Sequence, residues 1–361
     1  MAVAVVVAAD VDNEEDNVKS ALHTRMLSRL PFAVSAAVCI GLVVTPLAAS
    51  AQATASPKVA TSPQTPATPP RPAASAPRPA VSASVKTFTT AKQAAEALIV
   101  AARAFDVGKL QELFGRDIDD IVLPDDYVQG RQRAADFVAK ADEKMSVSLE
   151  PGTGARAFVL VGDDDWPFPI PIVKRGARWS FDPQAGRQEM RHRRIGRNEL
   201  DAIQVCLGYV EAQHDYAHQL QDGKLAQYAQ RIISTPGTRD GLAWRKPDGT
   251  WDGPIGEKVA RAIEQGYTDR AEPYRGYFFK ILKGQGPAAP LGEMDFVVKD
   301  VMIGGFALVA APAMYGVTGL KTFIVSHDGV VYEKDLGTGT LEAFTKMERF
   351  NPDRTWTPVE D

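Results

Sequence analysis

The stretch from Gly304 to Gly337 constrains the fold more than any other part of the chain. Its sequence is GGFALVAAPAMYGVTGLKTFIVSHDGVVYEKDLG. Two apolar runs precede the Asp328-Gly329 pair and a shorter run follows it, which is typical of an antiparallel sheet with tight turns. The glycines are expected at turns and close backbone approaches: Gly304, Gly305, Gly316, Gly319 and Gly329. The stretch contains no active-site motif, so it predicts fold rather than chemistry.

The first 85 residues divide into three segments that are not expected to belong to the folded part. Residues 1–25 precede a second methionine and are interpreted as an over-extended start. Residues 26–51 have the form of a signal peptide, with a basic residue, an apolar run and the small-residue site Ala49-Ser50-Ala51. Residues 52–85 are rich in Pro, Ala, Ser and Thr, and so little apolar bulk predicts a disordered linker.

The signal segment predicts export, with two alternatives for its fate. Cleavage would release a periplasmic or secreted protein, and Pro31 and Pro46 favour it. If the segment stays uncleaved, its apolar run from Leu30 to Leu47 is nearly long enough to anchor the protein in a membrane. The membrane is therefore a partner only through this segment. The linker that follows is either a spacer toward a cell-wall layer or a passive tail.

Residues 86–196 are predicted to form an α+β domain. Thr90 and Gln93 form a capping box before an alanine-rich helix, which Gly108 is expected to stop. Further helices are expected at 109–114 and 131–145, and strands at 146–150, 155–161, 168–174 and 177–181. Helices followed by a curved antiparallel sheet resemble the NTF2-like or cystatin-like architecture. That resemblance implies either a small-ligand pocket or a filled core.

Residues 197–361 are predicted to form a second α+β domain, in which a long helix packs on an antiparallel sheet. Asn198 is expected to cap this helix. Its apolar stripe is predicted to be buried: Leu200, Ile203, Leu207, Val210, His214 and Ala217. A short helix is expected at 257–265 and a last one at 341–349. Strands are expected at 274–282, 295–299, 303–311, 320–326 and 330–335.

Composition and cysteine content exclude several classes of protein. A formal net charge of -4 and a pI near 5.8 argue against a general nucleic-acid binder. The two cysteines are Cys39, which lies in the signal segment, and Cys206. The mature chain would therefore carry one cysteine and no internal disulfide. Cys206 is expected to be a buried free thiol. No cofactor is predicted.

Five arginines precede the predicted long helix: Arg187, Arg191, Arg193, Arg194 and Arg197. Such a cluster can hold an anionic partner, such as a phosphate, an acidic glycan or a lipid head group. We take Arg191, Arg194 and Arg197 as the candidate ligand-binding members. The alternative is a hinge whose arginines pair with neighbouring acidic side chains.

Two tryptophans, Trp244 and Trp251, flank the Asp248-Gly249 turn in a loop region rich in Gly, Pro and Asp. They are candidate glycan-binding residues, because paired indoles on a loop can stack on sugars. The alternative is that they clamp the loop onto the core.

Three further patterns each allow a functional and a structural interpretation. His214 and His218 are one helical turn apart and could bind a metal, although His214 is also consistent with a packed core histidine. The run Asp163-Asp164-Asp165 could bind calcium or form a solvated turn. His327 beside Asp328 could support acid–base chemistry, but a hairpin turn at Asp328-Gly329 is by itself a sufficient explanation.

The chain lacks the sequence motifs of the common enzyme classes. No GxSxG, P-loop, HExxH or CxxC pattern occurs. Paired acids such as Asp328 and Glu333 could act in hydrolysis only at a separation that the sequence does not define. The sequence therefore favours a non-catalytic structural or interaction module, with a cell-envelope protein or glycan as partner and the oligomeric state open. The alternative is a small-molecule or glycan-binding protein that uses an NTF2-like pocket or the Trp244/Trp251 loop.

Several segments carry resemblances to known families. They are IGRNELDAIQ, STPGTRDGLAW, YRGYFFKILKGQGPAAP, the Gly304–Gly337 stretch and FNPDRTWTP. Over residues 88–358 the chain resembles a family of exported bacterial proteins known only as a domain of unknown function, which implies export and supplies no catalytic residues. The C-terminal half also resembles the globular part of type IV pilin-like proteins. It departs from them because its helix lacks a hydrophobic membrane half, so no pilus assembly is implied.

Overall fold

The structure is a computed structural model that describes four stretches of the chain: 85–115, 127–218, 226–255 and 273–360. The chain forms two compact units. The first comprises Met1–Lys86 and Ala97–Lys140, and the second comprises Thr87–Glu96 and Ala141–Asp361. The predicted start and signal peptide, nearly all of the linker, and the predicted helix at 257–265 lie outside the described residues.

Three helices open the described chain: α1 (Ala91–Arg103), α2 (Val107–Phe114) and α3 (Tyr127–Glu143). Half of the predicted capping box is present at Thr90, whose Oγ1 accepts a hydrogen bond from the Gln93 backbone N–H at 3.1 Å, whereas the Gln93 side chain accepts from the Thr89 backbone N–H at 3.3 Å. Gly108 does not stop a helix as predicted but lies inside α2. The reason is Asp106, whose carboxylate accepts a hydrogen bond from the Lys109 backbone N–H at 3.1 Å and so begins α2 earlier.

The first sheet of the second unit contains five strands: β1 (Met145–Leu149), β2 (Arg156–Val161), β3 (Trp166–Pro167), β4 (Ile172–Arg175) and β5 (Arg178–Phe181). The order is β1-β2-β4-β5, all antiparallel, and β3 pairs with β2. The strand predicted at 168–174 is shorter than expected. Pro169 and Pro171 lack backbone N–H groups, so regular pairing starts only at Ile172.

Helix α4 (Pro183–His218) is 36 residues long and begins well before the predicted start at Asn198. Asp182 accepts a hydrogen bond from the Ala185 backbone N–H at 3.1 Å, and Pro183 suits the first helical position. Arginine is a good helix former, so the arginine-rich run continues the helix instead of forming a hinge. Residue 196, where the two predicted domains meet, lies inside α4.

The buried face of α4 is not the predicted apolar stripe. The buried residues of its second half are Ala202, Cys206, Tyr209, Ala212, Gln213 and Tyr216. By contrast, the side chains of Leu200 and Leu207 are 65% and 37% exposed, and His214 is also exposed. The helix is rotated in this way because Tyr and Gln side chains on the inner face find hydrogen-bond partners there, which a count of apolar residues does not reveal.

The main sheet of the second unit has the order β17-β16-β15-β14-β9, and all its neighbours are antiparallel. Its strands are β9 (Tyr277–Leu282), β14 (Ala307–Pro312), β15 (Lys321–Ser326), β16 (Val331–Asp335) and β17 (Thr357–Pro358). Every residue of β14 is buried, as expected of a central strand. The predicted turn at Asp328-Gly329 is confirmed: the Gly329 backbone N–H donates to the Ser326 carbonyl at 2.9 Å, and Gly329 has a φ of 77°.

Shorter pairings and one more α-helix make up the rest of the described part of the second unit. β6 (Arg231–Ile233) runs parallel to β7 (Gly241–Arg245), and β7 pairs with β8 (Trp251–Asp252). Two small hairpins join β10 (Gly284–Gln285) to β11 (Met294–Asp295), and β12 (Val297–Val298) to β13 (Val301–Met302). Helix α5 (Thr340–Lys346) precedes β17. The architecture is thus α+β, as predicted.

We predict that Gly319→Ala destabilises the fold by about 2 kcal/mol through overpacking. A Cβ at this position would collide with the ring and hydroxyl of Tyr277, which is buried and donates a hydrogen bond to the Lys321 carbonyl at 2.9 Å. Urea unfolding measures the change. Gly339→Ala is the matched control, because a Cβ there meets nothing within 4 Å and the backbone φ is -84°. Equal effects of the two substitutions would contradict the prediction.

We predict that Asp300→Gly stabilises the fold by roughly 0.5–1 kcal/mol. Lys299 and Asp300 form the two-residue turn between β12 and β13 with φ values of 50° and 63°, a conformation that glycine adopts more readily. The Gln230 side-chain amide donates a hydrogen bond to the main-chain carbonyl of Asp300 at 2.7 Å and not to its side chain, so the Asp300→Gly substitution leaves that bond in place. The opposite sign is expected for Asp248→Gly, since the Asp248 carboxylate accepts from the Thr250 N–H at 2.9 Å. Thermal unfolding of both variants checks the pair.

Candidate functional site

The arginine-rich first half of α4 presents one positively charged face. Arg187, Arg191 and Arg194 follow one another at spacings of four and three residues, which places them on the same side of the helix. We call these three residues the arginine face. Arg191 is exposed and Arg194 is half-buried. Partial burial lowers the pKa of the Arg194 guanidinium, and the charges of Arg191 and Arg197 lower it further.

The arginines of α4 differ in their partners. Arg193 is committed to structure: it donates to Glu189 at 2.8 Å and to the Pro167 carbonyl at 2.9 Å, and its guanidinium lies 5.1 Å from the Trp166 ring centre. Arg187 and Arg197 also make contacts within the protein. Across the four described stretches, Arg191 and Arg194 have neither a hydrogen bond nor an ion pair. The hinge alternative, in which these arginines pair with acidic neighbours, therefore does not account for those two.

The tryptophans Trp244 and Trp251 lie on neighbouring strands but point to opposite sides. In the β7–β8 pairing, Trp244 is opposite Asp252 and Arg245 is opposite Trp251. The indoles are only 6% and 9% exposed, and Trp244 packs into the main core. The guanidinium of Arg245 lies 4.7 Å from the Trp251 ring centre. This arrangement fits the clamp alternative better than a shared sugar-stacking surface, and the ligand-binding assignment stays a prediction.

The two candidate metal-binding histidines of α4, His214 and His218, are both exposed. The ring of His214 packs edge-on against Phe306, with ring centres 5.5 Å apart, so it is not the buried core histidine of the predicted stripe. In the part of the chain that the structure describes, no group of three or more His, Cys, Asp or Glu residues is arranged to bind a metal. His214 and His218 therefore gain no third ligand from these residues.

The acidic residues singled out from the sequence are bound into local structure. Asp328 accepts hydrogen bonds from the Ser326 hydroxyl at 2.8 Å and from the Val330 backbone N–H at 3.2 Å, which stabilise the hairpin turn. Glu333 pairs with Lys321 at 3.0 Å. Asp165, the last of the three consecutive aspartates, pairs with Lys144 at 2.9 Å. These contacts explain the acids as structural groups.

A polar junction between α4 and the main sheet escaped the sequence analysis. The Glu199 carboxylate accepts hydrogen bonds from the backbone N–H groups of Leu320 and Lys321 at 2.8 and 3.0 Å. Both carboxylate oxygens of Asp201 accept a hydrogen bond from the Arg275 guanidinium, each at 3.0 Å. Burial alone would lower the pKa of the Arg275 guanidinium. Its hydrogen bonds to Asp201 and the negative charge of that carboxylate outweigh burial, so the pKa of Arg275 lies above its ordinary value. The junction anchors the middle of α4. The sequence does not predict it, because the partners of Glu199 and Asp201 come from parts of the sheet and its loops that are distant along the chain.

Gln213 is the second group that the sequence analysis missed. Its side chain is fully buried, donates to the Ala229 carbonyl at 2.8 Å and accepts from the Ala229 N–H at 2.8 Å. It also donates to the Tyr209 hydroxyl at 2.9 Å. The amide thus satisfies both backbone groups of a residue in a chain segment that carries no helix or strand there. A glutamine in a helix gives no sequence signal of such a role.

Cys206 is a core residue and not a reactive thiol. Its side chain is fully buried on the inner face of α4, as predicted, and burial raises its pKa to about 12. Nucleophilic thiols need the opposite environment, exposed and with a depressed pKa.

We predict that Cys206 resists thiol reagents until the fold opens. In the Cys39→Ser variant, native protein should consume almost no Ellman's reagent over a period in which denatured protein consumes one equivalent. Glutathione, labelled at the same pH, is the control for reagent activity. Rapid labelling of native protein would contradict the buried position of the thiol.

Comparisons with known proteins bear on the family of the chain. No helix in the described stretches is both long and apolar enough to cross a membrane. No curated protein and no solved structure matches the chain. A family model described as "Protein of unknown function (DUF2950)" matches residues 85–359, which includes every segment on which the family resemblance depended. The chain therefore belongs to this family of proteins of unknown function.

Proposed function

We propose that this protein is a non-catalytic binding module of the bacterial cell envelope, which holds an anionic partner on its arginine face. The observation that carries the proposal is that Arg191 and Arg194 have no partner among the described residues although Arg194 is half-buried. A partly desolvated cation without a counter-charge is costly to maintain, and an anion placed beside it would relieve that cost.

The geometry of the arginine face suits a ligand with more than one negative charge. Successive members lie about one helical turn apart, roughly 5.4 Å along the axis. Guanidinium groups bind carboxylates and phosphates through paired hydrogen bonds, so neighbouring arginines can hold neighbouring anionic groups. Among the anions named from the sequence, an acidic envelope glycan offers such repeated groups, and it is the partner we propose.

The non-catalytic part of the proposal is supported by the contacts of the candidate acids. Asp328 is held by its own turn and Glu333 by Lys321. The pair therefore has structural roles. Export through residues 26–51, with cleavage there and a linker that reaches toward the wall, places the arginine face where envelope glycans are found.

Two finer fold assignments belong to the same proposal. The first sheet of the second unit is antiparallel in the order β1-β2-β4-β5, which supports an NTF2-like or cystatin-like assignment for residues 86–196. The second half of α4 contacts β14 and β15 of the main sheet, which supports the pilin-like arrangement of a helix on an antiparallel sheet. Binding at the arginine face does not depend on either name.

We predict that the double variant Arg191→Gln/Arg194→Gln loses binding to an acidic glycan. The probe is polygalacturonate, a polymer of uronic acid, and isothermal titration calorimetry measures its affinity. Affinity of the unchanged protein should fall with added salt, because exposed charges are screened. The double variant should bind at least tenfold more weakly, since it lacks both unpaired cations.

The matched control is Arg131→Gln/Arg354→Gln, which removes the same charge from two exposed arginines outside α4. It should bind as the unchanged protein does. If both double variants lose affinity equally, the effect is one of overall charge and the arginine face is not the site. Inorganic phosphate, titrated in parallel, reports whether a single anion suffices in place of a polymer.

A further inference from the structure

The second half of α4 exposes apolar side chains that the fold leaves uncovered. Leu200 is 65% exposed and Leu207 is 37% exposed, although both belong to a helix whose other side is fully buried. Ile203 and Val210, which alternate with the two leucines along the helix, pack partly against the core. We define the outward face of α4 as five exposed residues: Leu200, Gln204, Leu207, Gly208 and Glu211.

The described residues around Gly208 on this outward face do not explain why this position is a glycine. It lies mid-helix, where glycine is less favourable than alanine. A Cβ built there would meet nothing within 4 Å, so the surrounding structure does not require glycine. A small residue on an exposed helix allows another backbone or a bulky side chain to approach closely. Together with the exposed leucines, Gly208 points to a partner that packs along the helix.

The charges are distributed unevenly along α4, and this distribution indicates how a partner helix would be oriented relative to it. Residues 187–197 contain five arginines and one glutamate, whereas residues 198–218 contain four acidic residues and no lysine or arginine. A second α4 placed antiparallel would set the basic half of each helix beside the acidic half of the other. A parallel arrangement would put like charges together, which is unfavourable.

We propose that two copies of this protein associate through the outward faces of α4, packed antiparallel about a twofold axis at Gln204. In that register Leu200 of one copy lies opposite Gly208 of the other, because the two are equally far from Gln204 on either side. A twofold axis makes this contact occur twice, as in most homodimers. The exposed Leu200 side chain of one copy then packs into the space beside Gly208 of the other, where glycine has no side chain; we call this space the notch.

This association is independent of anion binding at the arginine face. Gln204 lies thirteen positions after Arg191, which places the two side chains about 140° apart around the helix. The dimer would therefore leave the arginine face accessible. A single helix–helix crossing is expected to bury less than the roughly 1,200 Å² typical of stable complexes, so the dimer should be concentration-dependent.

Cysteine crosslinking tests the register. Gln204→Cys and the matched control Gln188→Cys are each made in the Cys39→Ser chain; both positions are exposed glutamines of α4, and Cys206 is buried. A short bismaleimide should join two Gln204→Cys copies across the axis. It should not join Gln188→Cys copies, whose two positions would lie about 48 Å apart along the helices. Equal or absent crosslinking of the two variants overturns the proposal.

Gly208→Ala provides a second test whose two effects have opposite signs. Alanine favours the helix, so thermal unfolding at low protein concentration should show a higher Tm. The added methyl group fills the notch opposite Leu200, so sedimentation velocity should show at least a fivefold weaker dimer. Leu200→Glu should abolish the dimer, with far-ultraviolet circular dichroism unchanged. A purely monomeric unchanged protein at high micromolar concentration, or a dimer that Gly208→Ala and Leu200→Glu both leave intact, contradicts the inference.

Discussion

The buried amide of Gln213 determines which side of α4 the main sheet receives. Its hydrogen bonds to both backbone groups of Ala229 can form only with the side chain inside. Loss of this pairing would leave three buried polar groups without partners, which costs more than burial of a leucine gains. Once Gln213 is inside, helical geometry sets every other position of α4. Leu200 and Leu207 must then lie toward the outside, and Cys206 and Tyr209 toward the core.

The same constraint explains the position of the arginine face. Arg191 precedes Ala202, Cys206, Tyr209 and Gln213 by eleven, fifteen, eighteen and twenty-two residues, all close to multiples of 3.6. It therefore lies in line with the stripe that the main sheet buries farther along the helix. The Arg193 contacts to Glu189 and Pro167 hold this part of α4 beside the first sheet. One helix thus carries both an inner apolar face and, in line with it, two cations that have no partner among the described residues.

The sequence predicted the sheets better than the helix that packs on them. Strands β14, β15 and β16 were predictable because short apolar runs and the Asp328-Gly329 turn leave few alternatives. The buried face of α4 was not predictable, since the helix carries two stripes of residues at similar spacing and the leucines of the more apolar stripe point outward. Asp182-Pro183 is a helix start signal, but the arginine-rich run that follows it is also compatible with a hinge, so the sequence alone does not define where α4 begins. The roles of Glu199 and Gln213 depend on loops that are distant in sequence.

Locally unfavourable features of α4 are concentrated on its surfaces and not in its core. Core positions such as Cys206 and Gln213 are explained by their neighbours. By contrast, Gly208, Leu200 and Arg194 each make the folded monomer less stable than an ordinary surface residue at that position would. A folded chain rarely retains several such features on one helix without an external partner, because common substitutions would remove each of them. The two surfaces face different directions, so one helix can serve self-association and anion binding at the same time.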